Sequence, residues 1–527
     1  MRKLFVWFSI GLLVVTALLW YVNWKFIFLL ILVVPLIAMG FYDMYQSKHT
    51  IKRNFPLLGR MRYLLEGIGP EMRQYFVETN IAGRPFNRLQ RSLVYQRSKK
   101  ETDTLPFGTQ LDVYDEGYQW INHSVRAIAF TDIDQNPRVR IGSTQCAKPY
   151  MASLFNISAM SYGSLSKNAI IALNSGAKQG GFFHNTGEGG LSPYHLEPGG
   201  DVVWNIGTGY FSCRNEYGNF SPEHFATRAQ LENVKMIEIK FSQGAKPGHG
   251  GILPKEKVTD EIAAIRLVKP GNDIISPPRH SAFTTPLEFM DFIRTLRELS
   301  GGKPVGMKLC VGNRSEFLAI CKAMVQTKTY IDFITVDGGE GGTGAAPLEY
   351  SDHVGMPLRD ALAFIHDALV GFGIRDEVKI IASGKIISGF DIIRALSMGA
   401  DLCNSARGMM FALGCIQALE CHSNTCPTGV ATQDPRLTKG LVPHLKSVRV
   451  ARYQHETVKA AMELMASAGI DHPDKVDRDL VSMRIDKTNI RTFAELFPEL
   501  TPGCLLLEES VPKHLLHDWK LASADHF

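Results

Sequence analysis

Three cysteines within a dozen residues carry the most specific chemistry in the sequence: Cys415, Cys421 and Cys426, spaced C-x5-C-x4-C and followed by Pro427. Thiolates are the ligands of iron–sulfur clusters. Three of them supplied locally suit a three-iron cluster, or a four-iron cluster completed by a ligand from elsewhere. The spacing lacks the C-x2-C of a zinc ribbon, and reduced structural thiols are the alternative. The chain of 527 residues has nine cysteines, an odd number scattered over a long sequence, which argues against a disulfide framework.

Cationic side chains stand where apolar runs end. Lys308 lies near the end of VGMKLC at 305–310, where a reduced, anionic flavin ring needs a positive partner. Lys240 lies near the end of VKMIEIKF at 234–241, and Lys246 and Arg266 follow it. Lysine offers a point charge and arginine a bidentate fork, which together suit a dicarboxylate; solvated surface charge is the competing reading. Five glycine-rich runs accompany these cations: NTGEGG at 185–190, QGAKPGHGG at 243–251, DGGEGGTG at 337–344, SGK at 383–385 and SARG at 405–408. Glycine lets backbone N–H groups approach a ligand, and helix N-termini nearby favour a phosphate. None of the five fits the Walker pattern, and no GxGxxG opens a strand-one βαβ unit.

Such groups need a frame. Strand-like runs occur at 155–160, 181–184, 234–241, 273–276, 305–310, 332–337, 379–383 and 402–405. Helix-like periodicity fills most intervals, as at 166–178, 286–299, 315–325, 359–371 and 389–398. Eight alternations predict an α/β fold, a (β/α)8 TIM barrel over 151–440 that includes the cysteine loop; an open doubly wound sheet fits the same pattern. In a barrel the glycine-rich runs fall at the strand C-termini, where active sites lie, and the loops after strands seven and eight commonly hold a phosphate. Residues 46–150, rich in Arg and Tyr and interrupted by Pro56, Gly67 and Pro106, read as an α+β collar. Residues 441–527 read as an extension with a helix at 449–468 and an irregular tail.

The first 45 residues read as two transmembrane helices. Leu4–Val22 and Phe26–Tyr42 carry no charge and are joined only by Asn23-Trp24-Lys25. Each approaches the roughly 20 residues needed to cross a bilayer. Arg2 and Lys3 precede the pair, and Lys48, Lys52, Arg53, Arg60 and Arg62 follow it. Positive charge on both outer flanks places both flanks, and the catalytic domain, on the cytoplasmic side of the cell membrane. A cleaved signal peptide is the alternative; the second span follows at once and no A-x-A-like site separates them. Membrane lipid is the expected partner of this segment. The net charge of +5 shows no dense basic stripe, so no nucleic-acid partner is expected.

The motifs together resemble the FMN-binding synthase domain of glutamate synthase, and especially stand-alone bacterial members of that family with an N-terminal membrane anchor. The carriers are AMSYGSLS at 159–166, NTGEGG at 185–190, QGAKPG at 243–248, ISPP at 275–278, DGG…GGTGA at 337–345 and C-x5-C-H-x-N-T-C-P-x-G-x-A-T-Q at 415–433. The resemblance spans about 150–470. It implies FMN at the barrel mouth, contacted by Ala159, Met160, Ser161 and Lys308. The phosphate would be held by loops containing Gly338, Gly339, Gly342, Thr343, Ser383, Gly384, Ser405, Arg407 and Gly408. It implies a [3Fe–4S] cluster on Cys415, Cys421 and Cys426. Lys240, Gln243, Lys246 and Arg266 match the surroundings of 2-oxoglutarate. Glu188 matches an acidic residue handling ammonia or a proton, and with Lys246 forms the expected catalytic pair. The implied reaction reduces 2-iminoglutarate, formed from 2-oxoglutarate and ammonia, to glutamate. Electrons would come from a donor such as ferredoxin or a membrane carrier.

The sequence departs from that family pattern at His249, Ile252 and Lys385, where Glu, Gln and Gly are usual. No N-terminal catalytic Cys and no room for an amidotransferase domain precede residue 150, so glutamine hydrolysis is not expected and ammonia would come from solution or a partner. Two further readings stand beside this one: FMN-dependent reduction of another amino or keto acid, and a non-enzymatic membrane scaffold retaining the fold. Product analysis separates the first from the leading reading, and a reducible flavin disfavours the second.

Overall fold

The computed structural model describes residues 1–102 and 104–527, in two compact units, Met1–Arg88 and Leu89–Phe527. The larger unit is built on a closed barrel of eight parallel strands. These are β1 (Phe155–Ile157), β2 (His184–Asn185), β3 (Val202–Ile206), β4 (Val234–Lys240), β5 (Val305–Leu309), β6 (Phe333–Asp337), β7 (Lys379–Ser383) and β8 (Leu402–Ser405). β8 closes on β1 through Cys403–Phe155, Asn404–Asn156 and Ser405–Ile157. Strands buried on both faces read as near-continuous apolar runs, as VVWNI in β3 and FITVD in β6 do, every residue buried.

Two strand expectations are corrected. The run at 273–276 is not a barrel strand: Ile274–Ile275 pairs antiparallel with Ile252–Leu253 outside the barrel. The third barrel strand is instead Val202–Ile206, so VKMIEIK is the fourth strand, not the third. β3 lacks the helix-length interval that alternation predicts, because only the one-turn helix Pro193–Leu196 separates it from β2.

One barrel end is plugged. The hairpin Arg138–Ile141/Tyr150–Ser153 brings Ile141 and Ala152 into a core with Phe183, Val203, Met236, Phe333, Ile381 and Leu402. These residues lie at or near the strand starts, so the opposite, C-terminal end is left for chemistry. The helix Pro443–Ser467 packs on Lys167–Gly180 and Gly389–Ser397 as the last helix of the barrel's outer ring. Beyond it Val481–Arg484 joins Gln119–Ile121 and Ile490–Thr492 in a three-stranded antiparallel sheet.

The smaller unit begins with the helix Arg2–Val22, a 3-10 segment Trp24–Leu29 and the helix Leu30–Tyr45. Phe5 meets Phe41 edge-to-face at 5.6 Å. Ser9 and Thr16 donate to the carbonyls of Phe5 and Leu12, each at 2.8 Å. The fully buried Asp43 accepts two 2.8 Å bonds from Arg60, a bidentate pair of the strong charge-assisted kind. Apolar side chains such as Trp7, Phe8, Leu18 and Ile31 stay exposed, as do Leu64, Leu65, Phe76 and Val77 further on.

Candidate active site at the C-terminal end of the barrel

The polar groups of the sequence meet at the open end. Glu188, in the loop after β2, pairs with Lys240 at the end of β4 at 2.9 Å. The Lys240 ammonium also donates to Gln243 Oε1 at 2.8 Å, and Gln243 Nε2 donates to the exposed Thr343 hydroxyl at 3.4 Å. Lys246 is buried and donates to the Ala345 carbonyl at 3.0 Å. Arg266 is buried, donates to the Tyr162 carbonyl at 3.2 Å and lies over the Phe211 ring; among the described residues its Nε has no partner. Glu188, Lys240, Gln243 and His249 line a small recess that opens to solvent.

The electrostatics are lopsided. Burial pushes the Glu188 carboxyl up, but Lys240, with Lys246 and Arg266 behind it, outweighs burial and holds it below the ordinary glutamate value. Burial draws Lys246 down, opposed by Glu188, and brings Arg266 to about 10. Three cations thus share one carboxylate.

Deeper in the barrel a second group forms. Lys308 on β5 lies 3.3 Å from Asp337 Oδ2 at the end of β6. Burial lowers its ammonium, yet Asp337 and Glu238 outweigh this and hold it above the ordinary lysine value. Glu238 on β4 has no exposure and accepts from Asn185 (2.8 Å), Asn205 (2.5 Å) and Thr335 (2.5 Å). Asp337 also accepts the Gly244 amide at 2.9 Å, which ties the glycine-rich loop after β4 to β6. Only glycine fits at 244: an added Cβ would stand 1.7 Å from the Gly338 carbonyl oxygen.

The loops expected to hold a phosphate are less uniform. Ser383 faces Ser158 at 3.2 Å across β7 and β1, and the Ser405 hydroxyl is spent on the Ile386 carbonyl at 2.6 Å. At Gly408 a Cβ would meet Tyr453 and Ser405, at Gly338 Leu358 and Glu340, and at Gly339 the Gly355 carbonyl. These three glycines are explained by close packing. Gly384 has a φ of 157° and lies beside Leu358, whereas exposed Gly342 lies against the Arg407 guanidinium, which donates to the Glu340 carbonyl at 3.1 Å. Burial brings Arg407 to about 10, with Asp337 and Glu340 opposing. On the other side of the mouth, an added Cβ at Gly187 would lie 2.6 Å from the Ser161 nitrogen and 2.8 Å from the Met160 carbonyl carbon, so the loop carrying Ala159–Ser161 abuts the loop carrying Glu188.

The cysteines lie after β8. The loop turns through residues of positive φ at Gln417 (58°), Leu419 (61°) and Asn424 (64°), between Cys415 and Cys426. All three thiols are free. Burial, then the charges of Cys421 and Cys426, pushes Cys415 up to about 12, and Cys421 is raised by burial and Cys426. Tyr95 anchors the loop by donating to the Cys415 carbonyl at 2.6 Å. Among the described residues no three His, Cys, Asp or Glu side chains converge on one point as ligands of a single metal ion.

A family comparison decides the lineage of this architecture: the conserved region in glutamate synthase matches residues 96–471. The chain belongs to the glutamate synthase family. It is 38% identical over 502 residues to the glutamate synthase large subunit-like protein YerD of Bacillus subtilis, covering 87% of this chain and 95% of that one. It is also 38% identical over 317 residues to the archaeal glutamate synthase (NADPH) of Methanocaldococcus jannaschii, covering 60% of this chain and 59% of that relative. Among solved structures, a mandelate oxidase mutant with an FMN adduct aligns at 15% identity and a TM-score of 0.42, over 81% of this chain and 99% of that one. The chain is an oxidoreductase of the glutamate synthase type.

Four residues of this glutamate synthase-type site escape sequence reasoning. Glu238 had a readable signal: a charge inside an apolar strand, two residues before Lys240 and therefore on the same face. Asp337 appears in the sequence only as the start of a glycine run. His280 is buried after the ISPP motif, accepts from Tyr210 at 2.9 Å and donates to the Lys240 carbonyl at 2.9 Å; burial lowers it to about 4. Lys257 sits in the polar run PKEKVTDE and carries no signal at all. The misassigned segment 273–276 has a role as well: the Ser276 amide donates to Gly251 at 2.9 Å and clamps the loop that bears Lys246 and His249.

Proposed function

We propose that the chain reduces 2-iminoglutarate, formed from 2-oxoglutarate and ammonia, to glutamate, using FMN at the barrel mouth and a [3Fe–4S] cluster in the cysteine loop. The observation that carries this is the charge balance of the recess. Lys240, Lys246 and Arg266 face the single carboxylate Glu188, a surplus of two positive charges. Buried charge is costly unless paired, and the dianion of 2-oxoglutarate supplies the missing two.

The residues fit the two groups. Lys308, held charged by Asp337 and Glu238, suits an anionic reduced ring. Ala159, Met160 and Ser161 offer a backbone edge beside it, and Gly342, Thr343, Gly384 and Arg407 are the loop positions nearest to a phosphate role. Gly338, Gly339, Ser383, Ser405 and Gly408 shape those loops. The thiols lie close together: Cys421 and Cys426 add to the burial that raises Cys415, and Cys426 adds to the burial that raises Cys421. A cluster binds each thiolate through its own iron, so the sulfurs need not converge on one point. When bound, FMN supplies hydride to the imine carbon and the cluster supplies it with electrons.

The protein's own part is binding and proton placement. Lys240, Gln243, Lys246 and Arg266 hold and orient the keto acid. Glu188 stays a carboxylate well below neutral pH and accepts the N–H groups of ammonia. Lys246, whose burial lowers its pKa, is the proton donor beside it. His249, whose ring packs against Tyr350 at 5.3 Å and lines the recess, favours a second reading in which another keto or amino acid is reduced.

In this reading the two N-terminal helices cross the cell membrane and the barrel lies in the cytoplasm. This rests on their length and apolar composition and on flanking charge. The electron donor is ferredoxin or a membrane carrier. The test is to reduce the detergent-purified protein, add 2-oxoglutarate with 15N-ammonium, and assay for labelled glutamate. Labelled glutamate formed as the flavin reoxidises is expected. A reducible flavin that yields none would refute the substrate.

A further inference from the structure

Five lysines are buried among the described residues: 240, 246, 257, 303 and 308. Lys240 and Lys246 face Glu188, and Lys308 faces Asp337. Lys303 has no carboxylate but donates to the Ala229 and Leu231 carbonyls at 2.7 and 2.8 Å, at the C-terminal end of the helix Pro222–Ala229. There the helix dipole supplies negative charge. Lys257 alone has neither. It is 2% exposed, and its ammonium donates to the carbonyls of Cys421 (2.7 Å), Ala431 (2.9 Å) and Ser164 (3.4 Å). All three acceptors lie in loops. Among the described residues no Asp or Glu pairs with it; burial draws its ammonium down, and the thiols of Cys421 and Cys426 oppose this.

A buried cation without a counter-ion costs far more than three carbonyl bonds return. The arrangement makes sense when the anion is something the cysteine loop acquires. We propose that Lys257 is the built-in counter-ion of the iron–sulfur cluster and the strut that fixes the cluster loop to the Ser161–Ser164 loop beside the flavin. This rests on the cluster assigned above. A fixed positive charge beside a cluster stabilises its reduced, more anionic state, because net charge and hydrogen bonding set cluster potentials. Lys257 thereby favours electron entry into the cluster. By touching both Cys421 and Ser164 it also holds the two redox loops in register.

The test is an EPR-monitored redox titration, with iron content, of the full-length wild type, Lys257→Met and Lys257→Arg. The Met variant is expected to lose at least tenfold in the one-electron reduction equilibrium, a fall of about 59 mV, while the Arg variant stays within threefold of wild type. If the Met variant does not retain iron, retention by the Arg variant upholds the charge role. A wild-type potential in the Met variant, an equal shift in both variants, or iron lost from both, would overturn it. Iron absent from the wild type itself would overturn the cluster assignment together with this proposal.

Discussion

The recess at the barrel mouth and the cysteine loop both carry more positive charge than the chain neutralises, yet they differ in access. In the recess Glu188 keeps a fifth of its side chain exposed and the cavity opens to solvent. Beside the cysteines Lys257 is sealed. An open surplus suits an anion that enters and leaves with each turnover; a closed one suits an anion that stays. Exposure thus separates the proposed substrate site from the proposed cluster site where charge counting alone does not.

The contrast breaks most completely at the cysteines. Changing Cys421 to Ser should abolish the cluster's EPR signal while leaving flavin absorbance in place; an unchanged signal would mean that the loop binds no cluster. The next largest effect is at the recess. Lys240→Met removes the direct partner of Glu188, a loss of about 2–5 kcal/mol for a buried charge pair. This should appear as a rise of thirtyfold or more in KM for 2-oxoglutarate, with the cluster potential unaltered. A KM within threefold of wild type would show that the surplus charge is not the substrate's.

Acid sharpens the contrast more gently. His280 supports the Lys240 carbonyl in its neutral form, and burial holds it at about 4 against an ordinary 6.5. The unfolded chain takes up this proton first, so the stabilisation is full above pH 6.5 and is lost as pH falls towards 4, about 3 kcal/mol in all. His195, lowered to about 3, acts in the same direction. Urea midpoints across this window should fall in the wild type and fall less in His280→Gln; parallel curves would refute the role. The smallest effect concerns the proposed anchor. Removing residues 1–45 should leave some membrane association through Leu64, Leu65, Phe76 and Val77, exposed among Arg60, Arg62 and Arg73, and removal of 1–88 should abolish it. Equal partitioning of the two truncations would show that residues 46–88 add nothing to membrane association.

Sequence pattern reached the barrel because most of its strands are apolar runs bounded by glycine. It misplaced one strand. Ile274–Ile275 is an apolar pair whose second residue is 66% exposed, and apolarity alone does not separate a surface hairpin from a buried strand. It passed over Val202–Ile206 because the interval before it holds only one helical turn. The side chains proposed to bind substrate were legible because they end a strand, as Lys240 does, or follow it in a glycine-rich run, as Gln243 and Lys246 do. Their supports were not: Glu238 and His280 act by burial across 33 to 97 residues of sequence, and Lys257 meets Cys421 over a separation of 164. Contacts of that range leave no periodicity. Several glycines that invited a phosphate reading, Gly338 and Gly408 among them, also have the protein's own side chains packed where a Cβ would stand, a constraint with no trace in the pattern.

The most direct test of the account compares two oxidants of the reduced protein in the presence of ammonium: 2-oxoglutarate, and a five-carbon 2-keto acid with one carboxylate. The two-charge surplus predicts flavin reoxidation with glutamate for the first and a rate at least a hundredfold lower for the second. Equal rates, or faster reoxidation by the monocarboxylate, would contradict the assignment of Lys240, Lys246 and Arg266 to a dicarboxylate.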